Sequence, residues 1–504
     1  MPIVNQENSC RILACEPYPT LYVCGKRGQA VISTEKPQEG DAFIIPNLTA
    51  KDFGDAEFKK TYGLQYALYG GAMANGIASV DMVIALGKAG CMGSYGAGGM
   101  SPDVVAQAIR RIKAELGGLP YMINMLSNRN AQAELELAEL LVAEEVPAVE
   151  ASAYITPSEA LVYYRVKGLR REDDGIVIPH KIIAKVSREE VLEKFVSPPP
   201  QEAVAALLKG GLITAEEAVL AAQIPMADDI TVEADSGGHT DGRPLVSMLP
   251  ALIALANRKQ KEFAYGQKVR VGAGGGIGTG LSCLGAFEMG AAYVVTGSVN
   301  QGCVESGTSD YVKQLLAETE MADVTMAPCA DMFEMGAKVE VIKKKTMYAQ
   351  NAQKLYECYV KFGSFEEIPA AERERIEKKI LKNSFDQIWK DTKEYFSRVD
   401  PSKITQAEKN PKVKMALVFR WYLGSSSRWA VQGDPARKFD MQIWCGQAMG
   451  AFNLWVKGTA YSQAENRHVG EISALLLHSC SYHYMKNLLV RMGADPALFS
   501  EDVL

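Results

Sequence analysis

No apolar run in these 504 residues approaches the roughly 20 needed to cross a bilayer. Excess basic charge is also missing. Lys and Arg total 54 against 60 Asp and Glu, a net charge of −6. Nucleic acid is therefore excluded as the main partner, because phosphate-backbone binding needs a basic surface. The start of the chain lacks the basic stretch followed by an apolar one that marks a secretory signal. Ten cysteines are scattered with no CxxC pair, as expected of reduced thiols in a cytoplasmic protein. Cys10, Cys15 and Cys24 cluster, but no histidine is near and the spacing fits no common zinc pattern. Histidine is scarce, with five in all, so each can be weighed singly.

What is present fits a soluble globular protein. Apolar content is 47% and charged content 23%, ordinary for that class. The length exceeds one core, so two or three units are expected. Residues 1–63 read as an N-terminal extension of short strands and turns. From about 64 a rhythm of short strand, glycine turn and helix begins. Eight strand candidates follow: Tyr66–Tyr69, Gly90–Gly93, Pro120–Asn124, Ala148–Glu150, Lys181–Lys185, Ile230–Glu233, Val269–Val271 and Tyr293–Thr296. Short β-branched runs that do not alternate fit parallel strands buried on both faces. Pro102 to Leu116 reads as a helix with Ser101 as N-cap and Pro102 at its first position. Residues 188–228 break the rhythm as an insertion, with Thr214 and Glu217 spaced as a capping box. The fold expected is α/β: a (β/α)8 TIM barrel over 64–310, followed by an α-helical domain over 311–504. All five tryptophans lie between Trp389 and Trp455, either as that domain's core or as a wall for a long apolar substrate.

Chemistry concentrates at the expected strand ends. Val271-Gly-Ala-Gly-Gly-Gly-Ile-Gly-Thr-Gly280 has no register that satisfies GxGxxG, which disfavours a dinucleotide fold. A barrel phosphate site needs only free backbone N–H groups after strands seven and eight. Gly274, Gly275 and Gly276 supply the first, and Gly297 and Ser298 the second. Glu233-Ala-Asp-Ser-Gly-Gly-His239-Thr-Asp241 follows strand six. Gly237 and Gly238 let the backbone come close to a ligand, and the His239 imidazole can donate, accept or polarise near neutral pH. Gly70-Gly-Ala-Met-Ala-Asn75, leaving strand one, suits a flat aromatic ring over the barrel mouth. Asn124 ends strand three. Lys185 ends strand five, where it either stabilises negative charge or forms an ordinary ion pair. Glu465-x-x-His468 has no second copy to make a di-iron site. His478 and His483 are five apart and do not share a helix face. His180 stands at the opposite end of strand five. Structural or surface roles are expected for these four. Lys343-Lys-Lys345 offers itself to an acidic partner or to solvent.

From 64 to 310 the chain resembles the FMN-dependent barrels that include nitronate monooxygenases and flavin-dependent enoyl-acyl-carrier-protein reductases. The strand-six motif, Tyr-Met-Ile-Asn at strand three and the added helical part make it similar to the PfaD-type trans-acting enoyl reductases. Those proteins serve polyunsaturated fatty acid and polyketide synthases. The resemblance implies FMN held by Gly71, Ala72, Met73, Asn124, Lys185, Gly237, Gly238, Gly275, Gly276, Gly297 and Ser298, with His239 beside the reactive ring. It implies reduction of the 2,3 double bond of enoyl thioesters on acyl carrier protein, with NADPH or NADH as electron donor. His239 is the first candidate for catalysis and Lys185 the second. Two rivals are a nitronate-type flavin oxidase and a non-catalytic docking component of a synthase.

Overall fold

The computed structural model describes residues 20–24, 30–36, 42–45, 48–128, 130–173 and 175–502. Cys10 and Cys15 lie outside the described residues, while Cys24 is a free thiol. The chain divides into two compact units. One contains residues 1–235, 242–306 and 454–504; the other contains 236–241 and 307–453.

In the first unit eight strands close into a barrel. They are β1 (Leu68–Gly70), β2 (Met92–Tyr95), β3 (Met122–Leu126), β4 (Ala148–Ser152), β5 (Lys181–Val186), β6 (Asp229–Glu233), β7 (Arg270–Gly274) and β8 (Val294–Thr296). Each pairs in parallel with its successor, and β8 pairs with β1 to complete the ring. The expected TIM barrel is thus present, strand for strand. Helices join the strands, as parallel pairing requires. The helix Pro102–Leu116 shows why the sequence folds this way. Ser101 stands at the N-cap, Pro102 at the first turn, and Gly117 ends the helix with φ 56°. Val105, Ile109, Ile112 and Leu116 recur at helical spacing and are buried, each worth roughly 1.5–3 kcal/mol. Thr214 and Glu217 form the expected capping box, on the last of three helices within 188–228.

Aromatic and ionic packing closes the amino-terminal end of the barrel. Arg270 grips Asp229 with both oxygens at 2.6 and 2.9 Å, and Tyr62 donates to the same carboxylate at 2.7 Å. Arg165, fully buried, donates to Asp228 at 2.6 Å and to the carbonyls of His180 and Pro225. His180 is buried in this framework, against Tyr164. Cutting Arg165 to Ala strands Asp228 as a buried, unpaired charge. Arg165→Ala is expected to cost about 3–5 kcal/mol, read as a lowered urea midpoint for the barrel's transition.

The expectation for 311–504 needs two corrections. Residues 307–453 are not purely helical: β9 (Val324–Pro328) and β10 (Lys338–Ile342) pair as an antiparallel hairpin. Lys338-Val-Glu-Val-Ile342 carries β-branched residues that favour a strand. Residues 454–504 cluster with the barrel. The helix Val469–Arg491 packs on Gly280–Glu288 so closely that a Cβ on Gly280 would meet Ser479 Oγ at 2.0 Å. Its other neighbours are the short strands around Leu21, Ile32 and Ile45, with which Tyr482, Met485 and Leu489 share a core. Trp389 is buried in the core of the second unit, and Trp421, Trp429 and Trp444 pack against it. No helix among the described residues is long and apolar enough to cross a membrane.

Candidate functional site

The predicted site residues of the barrel unit fall at the carboxyl ends of its strands, the end where such barrels place chemistry. Gly275 and Gly276 follow β7 with φ of 90° and 74°. Only glycine adopts these conformations without strain. A Cβ on Gly275 would also meet the backbone of Ala234 and Asp235 at 2.8 Å, whereas one on Gly276 meets nothing within 4 Å. Gly297, after β8, is equally open. Two adjacent strands therefore end in glycine turns that face empty space. Two buried oxygens on and just after β8, Thr296 Oγ1 and Asn300 Oδ1, have no partner among the described residues. An open backbone cradle beside unsatisfied polar atoms fits a phosphate-bearing cofactor such as FMN.

The turn after β1 is held by bonds to β8 and β4. Gly71 N–H donates to Thr296 O at 2.9 Å, tying the turn to β8. Ala72 N–H donates to Glu150 Oε2 at 2.7 Å, so it is not free to meet a ligand. Met73 packs under the turn after β2, where a Cβ on Gly96 would lie 1.8 Å from Met73 O. Asn124 Nδ2 donates to Glu150 O and Ser152 Oγ, both at 3.0 Å. Glu150 is fully buried and also accepts from Tyr69 at 3.3 Å. It orders this wall of the site.

Lys185 forms the ion pair that was its ordinary alternative, 2.6 Å from Glu233 Oε1. Burial disfavours its charge, but Glu233 and Glu150 outweigh burial and hold the ammonium well above the usual lysine range. Lys185 is thus a fixed donor and not a base. Motif and spacing single out neither Glu150 nor Glu233 as a site residue. Their signal in the sequence is a carboxylate inside an apolar strand, a residue almost never buried without a partner.

Gly237, Gly238 and His239 belong to the second unit. Gly238–His239 pairs antiparallel with β10, opposite Glu340 and Val339. A Cβ on Gly237 would meet the backbone of Cys445 at 2.8 Å, so only glycine fits there. His239 Nε2 lies 3.2 Å from Asp331 Oδ1 and 3.1 Å from Oδ2. Burial would lower the imidazole's pKa, but bonds to Asp331 and Cys329 raise it to about 10. Burial likewise opposes the Asp331 charge, yet His239 holds that carboxyl down at about 2.

His468 and His483 pair with carboxylates of the barrel unit. His468 stands at the N-cap position of the helix Val469–Arg491 without capping it and meets Glu305 at 3.2 Å, while Glu305 accepts from Val469 N–H at 3.0 Å. His483 is buried against Asp502 at 3.0 Å. In the lysine run, Lys344 pairs with Asp323 and Lys345 with Glu318, which leaves less charge for a partner.

Residues 57–387 match the nitronate monooxygenase family, and 362–441 match the inserted helical domain of [acyl-carrier-protein] S-malonyltransferase. Among solved structures the chain is similar to the enoyl reductase domain of MlnA, from the macrolactin biosynthesis cluster of Bacillus amyloliquefaciens. Identity is 38%, TM-score 0.83, and the match covers 88% of this chain and 99% of that one. Among curated proteins it is 45% identical to polyketide biosynthesis protein PksE of Bacillus subtilis, over 92% of this chain and 61% of that one. It is 48% identical to one of the polyunsaturated fatty acid synthase polypeptides of a Thraustochytrium species, over 83% of this chain and 28% of that one. The chain thus spans less than two thirds of the length of either curated relative.

Proposed function

We propose, for a chain that belongs to the nitronate monooxygenase family, that it is a trans-acting, FMN-dependent enoyl reductase serving a polyketide or polyunsaturated fatty acid synthase. One observation carries the reading: the paired glycine turns after β7 and β8 open onto space that a flavin phosphate would fill. The kinship with a solved enoyl reductase domain supports the choice of reaction. The names of the synthase relatives and the malonyltransferase-like helical segment support an acyl group carried on acyl carrier protein.

A flavin bound there supplies two-electron transfer between a nicotinamide, NADPH or NADH, and an electron-poor carbon–carbon double bond. The chain's own residues do the rest. Gly275, Gly276, Gly297 and Ser298 would present backbone N–H groups to its phosphate. Gly71, Ala72, Met73 and Asn124 would shape the wall for the ring. Lys185, kept protonated by Glu233 and Glu150, is a fixed donor that opposes negative charge on whatever lies at the end of β5. His239 gives the proton that the thioester α-carbon must gain.

The purified protein is expected to be yellow and to release FMN on denaturation. Release of FAD, or failure to take up any flavin on reconstitution, counts against the phosphate cradle. The family match also favours a second reading, an oxidase that passes electrons to oxygen. Stopped-flow absorbance separates the two. Reduced protein should reoxidise fast with a crotonyl-type thioester and slowly with dissolved oxygen; the reverse order makes the oxidase the better reading.

A further inference from the structure

Glu233-Ala-Asp-Ser-Gly-Gly-His239 reads as a self-sufficient loop, yet His239 is not held by its own loop. Asp235 N–H donates to Arg243 O at 2.9 Å, closing the base of the excursion that carries residues 236–241. Beyond that closure His239 is fixed by three separate stretches of the second unit. Its backbone joins the edge of β10. The turn beneath it rests on Trp444 and Cys445, with Gly237 in contact with the Cys445 backbone. Its side chain meets the turn that follows β9. That turn is itself pinned, because Cys329 N–H and Sγ both reach Ala337 O, at 3.1 and 3.3 Å. The donor atoms of His239, Cys329 and Asp331 gather within 4.8 Å of one another.

We propose that Asp331 is the positioning residue of this enzyme: its carboxylate, 92 residues away in sequence, aims His239 and keeps it charged as a proton donor. The proposal rests on the reading of the protein as an enoyl reductase, which it deepens. The pair is a poor device for stability. The His239 side chain is 48% exposed and that of Asp331 60%, and ion pairs so exposed contribute little to folding. What the contact does supply is chemistry. Nε2–H facing both carboxylate oxygens fixes the ring plane and favours the doubly protonated form.

Asp331 and Cys329 favour the same state, while the Lys338 ammonium on the paired strand opposes it. Asp331 and Cys329 face it from the turn after β9, and bonds to both raise its pKa. Lys338 and Glu340 stand on the paired strand, Asp241 on its own turn, and Cys445 beneath Gly237. A saturated product needs two electrons and a proton delivered to the double bond, and one further proton at the α-carbon. The imidazolium N–H gives that last proton, its electron pair stays on nitrogen as neutral imidazole, and solvent returns the proton before the next turnover. An imidazole of ordinary pKa near 6.5 would be mostly unprotonated at neutral pH and unable to give it. Asp331 makes the donor available through the physiological range.

The test compares the wild type with Asp331→Asn, which keeps the shape and an acceptor oxygen but removes the charge, and with Asp331→Glu. The FMN-loaded full chain, labelled with ¹⁵N-histidine, is titrated by NMR. With five histidines the spectrum is sparse, and loss of one signal in His239→Ala identifies the ring. In the wild type that signal should stay doubly protonated until pH nears about 10. In Asp331→Asn it should titrate near about 6.5, and Asp331→Glu should move it back up. Reoxidation by a crotonyl-type thioester gives the second readout. Asp331→Asn should match the wild type at low pH, and fall behind as pH rises through the lowered pKa, to about 30-fold slower at pH 8.

Equal titration midpoints for His239 in wild type and Asp331→Asn overturn the proposal. So does a rate loss in Asp331→Asn that is the same at every pH, since that marks a merely structural part. If the NMR shift is present but no thioester is reduced, Asp331 still sets the charge of His239, and it is the enoyl reductase reading that fails.

Discussion

A His239→Ala protein is expected to keep its flavin and to accept electrons from the nicotinamide at the wild-type rate. Its reoxidation by a crotonyl-type thioester should slow by roughly 10²–10⁴, the range for losing a placed general acid. The division follows from where the residue stands. The atoms that fit the phosphate are backbone groups after β7 and β8, in the barrel unit, whereas His239 is held by β10 and by Asp331. Removing the imidazole leaves the glycine turns and Glu150 untouched. It removes the group proposed to give the α-carbon its proton. Stopped-flow absorbance near the flavin maximum reads the two half-reactions separately. Unchanged reoxidation in the mutant would falsify the role. Loss of the flavin on purification would instead make His239 part of the cofactor's support.

The barrel is legible in the sequence because its strands are short and buried, several are rich in β-branched residues, and those at β1, β7 and β8 give way to glycine turns. Ile230-Thr-Val232 and Val294-Val-Thr296 carry that pattern plainly, and the structure places all eight strands where it falls. The cradle is legible for the same reason: Gly275 and Gly276 have positive φ, and a run of glycines marks such positions. Gly280, at the end of the same run, has a different task. It admits Ser479 of a distant helix, which local pattern cannot reveal.

Pairings across long separations stay hidden. Asp331 lies in Cys329-Ala-Asp-Met-Phe333, which matches no motif, and its meeting with His239 depends on how β10 joins the edge at Gly238. Glu150 and Glu233 stand in view inside strand candidates. A carboxylate in such a strand demands a partner, and Lys185 is the cation that meets the demand. The helix Val469–Arg491 reads as part of the helical domain merely because it is a helix. Its nearly all-round apolar character, through Ile472, Leu476, Leu477, Tyr482 and Leu489, signals burial among several neighbours. Those neighbours are the barrel's Gly280–Glu288 helix and the N-terminal strands.

Gly276→Val is expected to purify nearly colourless, with flavin content down by about tenfold or more at cofactor concentrations that saturate the wild type. Two effects act together. Gly276 has φ of 74°, and a β-branched residue there is strained by about 1–3 kcal/mol. The valine methyls would also fill space that is open in the protein, since a Cβ at this position meets no atom within 4 Å. That space is the reason to expect loss of ligand and not loss of fold. The new Cβ meets nothing in the protein, so the barrel should still close and the 307–453 unit should still fold. At Gly275 the balance is reversed. A Cβ there lies 2.8 Å from the Ala234 backbone, so Gly275→Val should unfold the strand end as well as expel the cofactor. Circular dichroism and a urea midpoint distinguish the two mutants, with Gly276→Val keeping the wild-type spectrum and losing only the midpoint that its φ strain accounts for, and Gly275→Val displaced further. Denatured samples report the FMN each one carried. A folded Gly276→Val protein with full flavin occupancy would move the phosphate away from β7 and leave the cradle to some other ligand.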